Sequence, residues 1–186
     1  MNKLLVCLLC ACTSTTWAAE SFVLDPGHTF PSFEISHQGV SVMRGKFNRS
    51  QGRVVLDPNG PGSRIEVSVD ASSGDTGHDG LNQKLLGGSF FNTARFPAIQ
   101  FVSTEVAFKD GKPVSATGNL TLLGVTRPVT LEIRDYACTL QFLTRRPLCG
   151  ADVHTRIKRS DFGMNYGIPL IGDEVKLAIE VEGFRE

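Results

Sequence analysis

Near the C-terminus Val175, Leu177, Ile179 and Val181 alternate with Lys176, Ala178, Glu180 and Glu182. This is the period-2 pattern of a strand with one face in an apolar interior and the other in water. The same alternation recurs along most of the chain. Ile65, Val67 and Val69 interleave with Arg64, Glu66, Ser68 and Asp70. Val114, Ala116, Gly118, Leu120 and Leu122 are expected to share one face, as are Val129, Leu131 and Ile133, and then Ala151, Val153, Thr155 and Ile157. Shorter strands are expected at Phe22 to Leu24, through Phe33, Ile35 and His37, at Val54 and Leu56, at Ile99 and Phe101, and at Val106 and Phe108. Gly39 and Gly45 are read as interruptions ahead of Phe47. Turn signals such as Asp25-Pro26-Gly27 and Asp57-Pro58-Asn59-Gly60 fall about every ten residues, the spacing of an antiparallel meander. Only one segment has helical spacing: Asp79 as cap, Leu81 and Leu85 at i and i+4, and Gly87-Gly88 as stop. The pattern predicts an all-β domain of eight or nine strands with one short capping helix. A sheet of that size with one apolar face either packs on a second sheet or curls into a barrel, and pattern alone leaves both open.

The first residues carry different information. Met1-Asn2-Lys3, an apolar run to Cys12 and the small-x-small ending Thr16-Trp17-Ala18 make a secretory signal peptide over residues 1–18. A lipoprotein signal at Leu9-Cys10-Ala11-Cys12 is the weaker reading, because it leaves an unusually short leader. Cleavage after Ala18 gives a single domain, residues 19–186, exported to the periplasm. It also removes three of the five cysteines and leaves Cys138 and Cys149. An isolated even pair in an exported protein is expected to form a disulfide closing a loop of roughly ten residues. The spacing is not C-x-x-C, which sets aside a redox-active or metal-binding pair.

Lys and Arg total 19 and Asp and Glu 19, without a basic stripe, so there is no footprint for nucleic acid. The nearest approach to a basic patch is Arg156, Lys158 and Arg159, with Arg145 and Arg146 upstream; the first three, interleaved with Asp161, are expected at strand edges in surface salt bridges. His28 and His37, with Asp25 and Asp161, form the one set that could hold zinc or exchange protons. His37 shares strand parity with Phe33 and Ile35, which favours an interior histidine. No nucleophile elbow, H-E-x-x-H, P-loop or dinucleotide fingerprint is present, so the expectation is a protein that is not an enzyme, with no metal or cofactor. Phe, at 12 residues against 2 Tyr and 1 Trp, is the stronger lead, because wholly apolar aromatics suit an interior that offers no hydrogen bonds.

Four motifs in order carry a resemblance. They are Asp25-Pro26-Gly27-His28-Thr29 with Phe33, His37 and Gly45-Lys46-Phe47; Ser89-Phe90-Phe91-Asn92 with Phe96-Pro97 and Phe101-x-Ser103-Thr104; Gly118-Asn119-Leu120-Thr121-Leu122-Leu123-Gly124-Val125-Thr126-Arg127-Pro128-Val129; and Ile157-Lys158-Arg159-Ser160-Asp161-Phe162-Gly163. Together they resemble the YceI-like family, with the cysteine pair resembling a proteobacterial subset of it. The resemblance implies an eight-stranded (or slightly larger) antiparallel barrel of lipocalin-like shape that encloses an isoprenoid, such as a quinone or polyprenol, or another apolar lipid. The implied ligand-binding set is Phe33, Ile35, His37, Phe47, Leu81, Leu85, Phe90, Phe101, Leu120, Leu122 and Phe162. Transient contact with a membrane or a membrane redox protein follows from such a role. The alternative is a secreted structural or stress-associated barrel with a filled core. Two departures stand out: Leu81-Asn82-Gln83-Lys84 replaces the family's charged helical run, implying a more apolar cap, and Leu123 replaces a histidine in the hairpin.

Overall fold

The structure, a computed structural model, describes residues 18–186, so most of the expected leader lies outside the described residues. Eleven strands follow in order: β1 (Glu20–Leu24), β2 (Phe30–His37), β3 (Ser41–Phe47), β4 (Ser50–Leu56), β5 (Arg64–Asp70), β6 (Gly74–Asp75), β7 (Ala98–Lys109), β8 (Lys112–Leu122), β9 (Val125–Leu140), β10 (Pro147–Lys158) and β11 (Ile171–Arg185). One helix, α1 (Asp79–Leu86), lies between β6 and β7. The strands run β1-β4-β5-β7-β8-β9-β10-β11, and β11 pairs back onto β1 from Phe22↔Arg185 to Leu24↔Gly183. This closes an eight-stranded antiparallel barrel. At 15 residues β11 is long enough to serve two neighbours on one edge. Its C-terminal part holds β1, and its earlier part holds β2, which carries β3 and β6 as an extension of the wall. Barrel closure settles the choice that strand pattern left open.

The period-2 patterns map onto the inner face, with exceptions made by bulges. In β7 the register shifts between Ser103 and Glu105. The extra residue moves the inward set from Phe101 and Ser103 to Val106 and Phe108. This joins two expected strands into one. A second shift pairs Phe108 with Pro113, so Pro113 takes the inner position and Val114 faces out at 36% exposure, contrary to the parity expectation. Gly45 does not interrupt a strand. It lies within β3 opposite Phe33, and a Cβ there would sit 2.5 Å from the Phe33 ring. Gly118 does the same for Phe101, whose ring would lie 2.6 Å from an added Cβ. Each glycine makes room for an inward phenylalanine.

Helix α1 covers one end of the barrel. Its cap is His78 and not Asp79: His78 has extended backbone, and its Nδ1 accepts from Leu81 N at 3.2 Å. Asp79 instead occupies the first turn, where a carboxylate favours the helix dipole. Leu85 is buried, and Gly87 ends the helix. The cap is also more polar than expected at its outer side. Asn82 accepts from Thr76 N and Oγ1 at 2.8 and 2.7 Å and donates to Asp75 at 3.1 Å. An amide bonded to Thr76 and to the Asp75 carboxylate stands where the charged run would be.

The same end is closed by a 3-10 turn, Arg159–Phe162. Arg159 is not a surface cation. It is 2% exposed and donates to the carbonyls of Gly172, Met164 and Ile171 at 2.7, 2.8 and 2.9 Å. Arg156 does make the expected kind of surface pair, with Glu174. The opposite end carries the β4–β5, β7–β8 and β9–β10 turns. Between the two ends Thr29, 1% exposed, exchanges two 3.2 Å hydrogen bonds with the Glu182 backbone and accepts at its carbonyl from Ser50 at 2.6 Å. The Asp25-Pro26-Gly27-His28-Thr29 motif thus ties the chain between β1 and β2 to β11.

Candidate functional site

The inner faces of the strands enclose a cavity of about 300 Å³, within the size range of small-molecule sites. Its lining runs from Leu81, Leu85, Phe90 and Phe91 beneath α1 to Tyr136, Cys149 and Phe22 near the other end. Of the residues singled out from sequence, Phe33, Ile35, Phe47, Leu81, Leu85, Phe90, Phe101, Leu120 and Leu122 line this cavity. Two do not. His37 keeps the inward parity of β2 but stands at its end, opposite Ile171 and Ser41, beyond the cavity wall. Phe162 is 2% exposed in the core cluster with Met164 and Leu85, filling the floor and not facing the space.

Several lining residues lie outside the sequence-derived set. Leu131 and Ile133 of β9, Val153 and Ile157 of β10, and Leu177 and Ile179 of β11 all face in. Their period-2 alternation is legible in the sequence. Tyr136 is different: Asp135, at φ 53°, sits at a register shift between β9 and β10 that turns the next side chain inward. No local pattern announces that bulge.

The chemistry of the interior is uniform. Phe33 and Phe47 rings pack 5.9 Å apart, and Phe47 meets Phe91 edge-on at 5.3 Å. Two polar side chains at the wall are already engaged. Ser103 accepts from Ile65 N at 2.7 Å, and Arg159 is held by its three carbonyls. Among the described residues no buried side-chain nitrogen or oxygen lacks a hydrogen-bond partner. Burial pushes the Tyr136 phenol above its ordinary pKa, so the wall's one phenolic group stays neutral. A guest therefore meets hydrocarbon and aromatic carbon, with no charge to pair.

The histidine set does not assemble. His28 bonds Asp25 at 2.8 Å, and that bond raises the His28 pKa and lowers that of Asp25. His37 stands at the opposite end of β2, roughly 20 Å away at strand rise. Asp161 belongs to the 3-10 turn, where its carbonyl accepts from Arg127. Asp25, His28 and Glu182 do place ligand atoms within 4.8 Å of one another, but His28 is largely exposed and Asp25 is committed to the turn through Gly27 N.

Cys138 and Cys149 are joined, with the two residues directly opposite each other on β9 and β10. The bridge does more than close the short loop that its spacing implies. It clips two barrel strands, and Cys149, 8% exposed, contributes to the cavity wall.

The YceI-like domain model matches residues 22–183. The chain belongs to the YceI-like family. Protein YceI of Salmonella arizonae and that of Salmonella paratyphi B are each 34% identical over 180 residues, spanning 94% of this chain and 91% of the relative. Among solved structures, Burkholderia cenocepacia BcnA matches with a TM-score of 0.70 at 23% identity, over 86% of this chain and 98% of that one. The Campylobacter jejuni YceI protein gives 0.66 at 23% identity, over 100% and 99%. A polyisoprenoid-binding domain from Saccharophagus degradans gives 0.64 at 18% identity, over 89% and 98%. These solved structures share the fold, and YceI-like membership agrees with the four motifs.

Proposed function

We propose that this protein is an exported, periplasmic carrier that encloses one apolar lipid, an isoprenoid (quinone or polyprenol) or a fatty chain, inside the barrel. The observation that carries the reading is a cavity of about 300 Å³ walled by apolar side chains, with no buried side-chain nitrogen or oxygen lacking a partner among the described residues. Each methylene-sized group moved from water into such a wall contributes about 0.8 kcal/mol. Contact area supplies affinity and barrel shape supplies selectivity. The polyisoprenoid-binding domain of Saccharophagus degradans, which shares the fold, supports the ligand class. The YceI-like family and its structural neighbours favour a binding role over catalysis. A barrel completely filled by its own side chains fits less well with the open interior. Loading and release of such a guest require contact with a membrane or a membrane redox protein.

Mass spectrometry of an organic extract from natively purified protein is expected to yield one dominant prenyl or acyl lipid near equimolar amount. Delipidated protein is expected to take it up saturably. No extractable lipid, together with no saturable uptake of any isoprenoid or fatty chain, would refute the carrier reading.

A further inference from the structure

The β9–β10 hairpin extends past the barrel and presents side chains that the fold does not use. Phe142 is 86% exposed and Leu143 84%, with Leu140 beside them at 47%. Arg145 and Arg146 follow after Thr144, both exposed. From Thr139 to Cys149 the hairpin contains no Asp or Glu. Neither arginine forms an ion pair among the described residues. The tip is nevertheless well built. Arg145 N donates to Gln141 O and Gln141 N to Arg146 O, both at 2.9 Å. The Arg146 guanidinium lies 4.4 Å from the centre of the Phe184 ring. The disulfide clips the hairpin's base, with Thr139↔Leu148 and Leu140↔Pro147 paired above it.

We propose that this stapled hairpin is a membrane-docking finger, with Phe142 and Leu143 entering the acyl layer and Arg145 and Arg146 meeting anionic phospholipid headgroups. The tip is convex and only a few residues wide, far short of the roughly twenty per side that a specific protein–protein interface buries. A fluid bilayer needs no complementary shape, so a small protruding apolar tip suffices there. Two cations without carboxylate partners beside the apolar pair, in a chain of formal net charge zero, match a negative membrane surface locally. The finger lies at the end of the barrel where Tyr136 and Cys149 line the cavity, so docking brings that end toward the bilayer.

The inference deepens the carrier reading, but its test does not depend on cargo. Wild-type protein is co-sedimented with phosphatidylcholine vesicles with and without phosphatidylglycerol. Binding is expected with phosphatidylglycerol and is expected to weaken as salt rises. Phe142→Ser with Leu143→Ser should lose about tenfold or more in partitioning. Arg145→Gln with Arg146→Gln should lose up to roughly thirtyfold on anionic vesicles and abolish the salt dependence. Val40→Ser with Leu170→Ser, a second exposed apolar pair at the α1 end, should bind like wild type. Because Phe142 and Leu143 are so exposed, melting temperature and lipid content should stay unchanged in their variant. Wild-type protein that ignores anionic vesicles overturns the proposal. So does either hairpin variant binding as wild type, or loss of binding only in the Val40/Leu170 variant. A barrel that yields no lipid and takes none up, yet still docks through the finger, would refute the carrier reading and leave this one standing.

Discussion

Arg159 brings a positive charge into the floor of the barrel with no carboxylate in direct contact among the described residues. Burial lowers its pKa, and Asp173 nearby partly offsets that. The compensation is geometric: three guanidinium nitrogens each meet a backbone carbonyl, that of Met164 just past the 3-10 turn and those of Ile171 and Gly172 at the start of β11. Hydrogen bonds to a charged group contribute about 1.5–3 kcal/mol each, and the orphaned carbonyls would carry a further cost. Arg159→Met is therefore expected to destabilise by about 3 kcal/mol or more in urea titrations. Lys158→Met, on the outer face, should stay within about 0.5 kcal/mol. Equal, small effects of both would show that the arginine is not the cross-link of this loop. Its position was readable in part. Ile157 points in and Lys158 out, so strand parity carries Arg159 inward. Charge alone suggested the surface, because its carbonyl partners come from residues 5 to 13 positions away in the chain, which no periodicity reports.

At the scale of strands, the alternation of apolar and polar residues located nearly every barrel wall element, because one buried face imposes period 2. What it missed are the bulges. Thr104, Val114 and Asp135 each lie at or beside a register shift, and a shift is a property of two strands together. Parity alone therefore puts Val114 inside and gives no sign of Tyr136 as a wall residue. The cysteine pair shows the same limit. Its existence was plain from the mature composition, but its place as a cross-strand clip between β9 and β10 depends on pairing register. The bridged residues are 11 apart in sequence, and the chain-entropy model for so short a loop gives about 2–3 kcal/mol. Cys138→Ala with Cys149→Ala is expected to lower the urea midpoint accordingly while keeping the lipid, since ladder hydrogen bonds still hold both strands in the barrel. Loss of cargo without loss of fold would assign the clip a direct part in shaping the cavity.

For the whole molecule, the decisive property is which side of the wall is apolar. Leu120, Leu131, Val153 and Leu177 face the cavity, while Thr130, Glu132, Arg134, Arg156 and Lys176 take alternate positions toward solvent. A membrane-spanning barrel has the opposite polarity, apolar outside and polar within. Here the barrel turns its hydrocarbon surface onto its own interior, and a cavity remains after the side chains have packed. Two neighbouring positions on β8 test that polarity directly. Leu120 is 9% exposed and lines the cavity, and Leu120→Asp would desolvate a carboxylate against hydrocarbon, at a cost of several kcal/mol unless it takes up a proton. Thr121, its neighbour on the outer face, only shares a 2.8 Å hydroxyl contact with Thr126, and Thr121→Asp loses about 1 kcal/mol at most. Lipid content by mass spectrometry and fold by circular dichroism, read on both, are expected to show a normal, loaded Thr121→Asp protein and an empty or unfolded Leu120→Asp protein. A folded Leu120→Asp barrel carrying wild-type lipid would place the guest somewhere other than this interior.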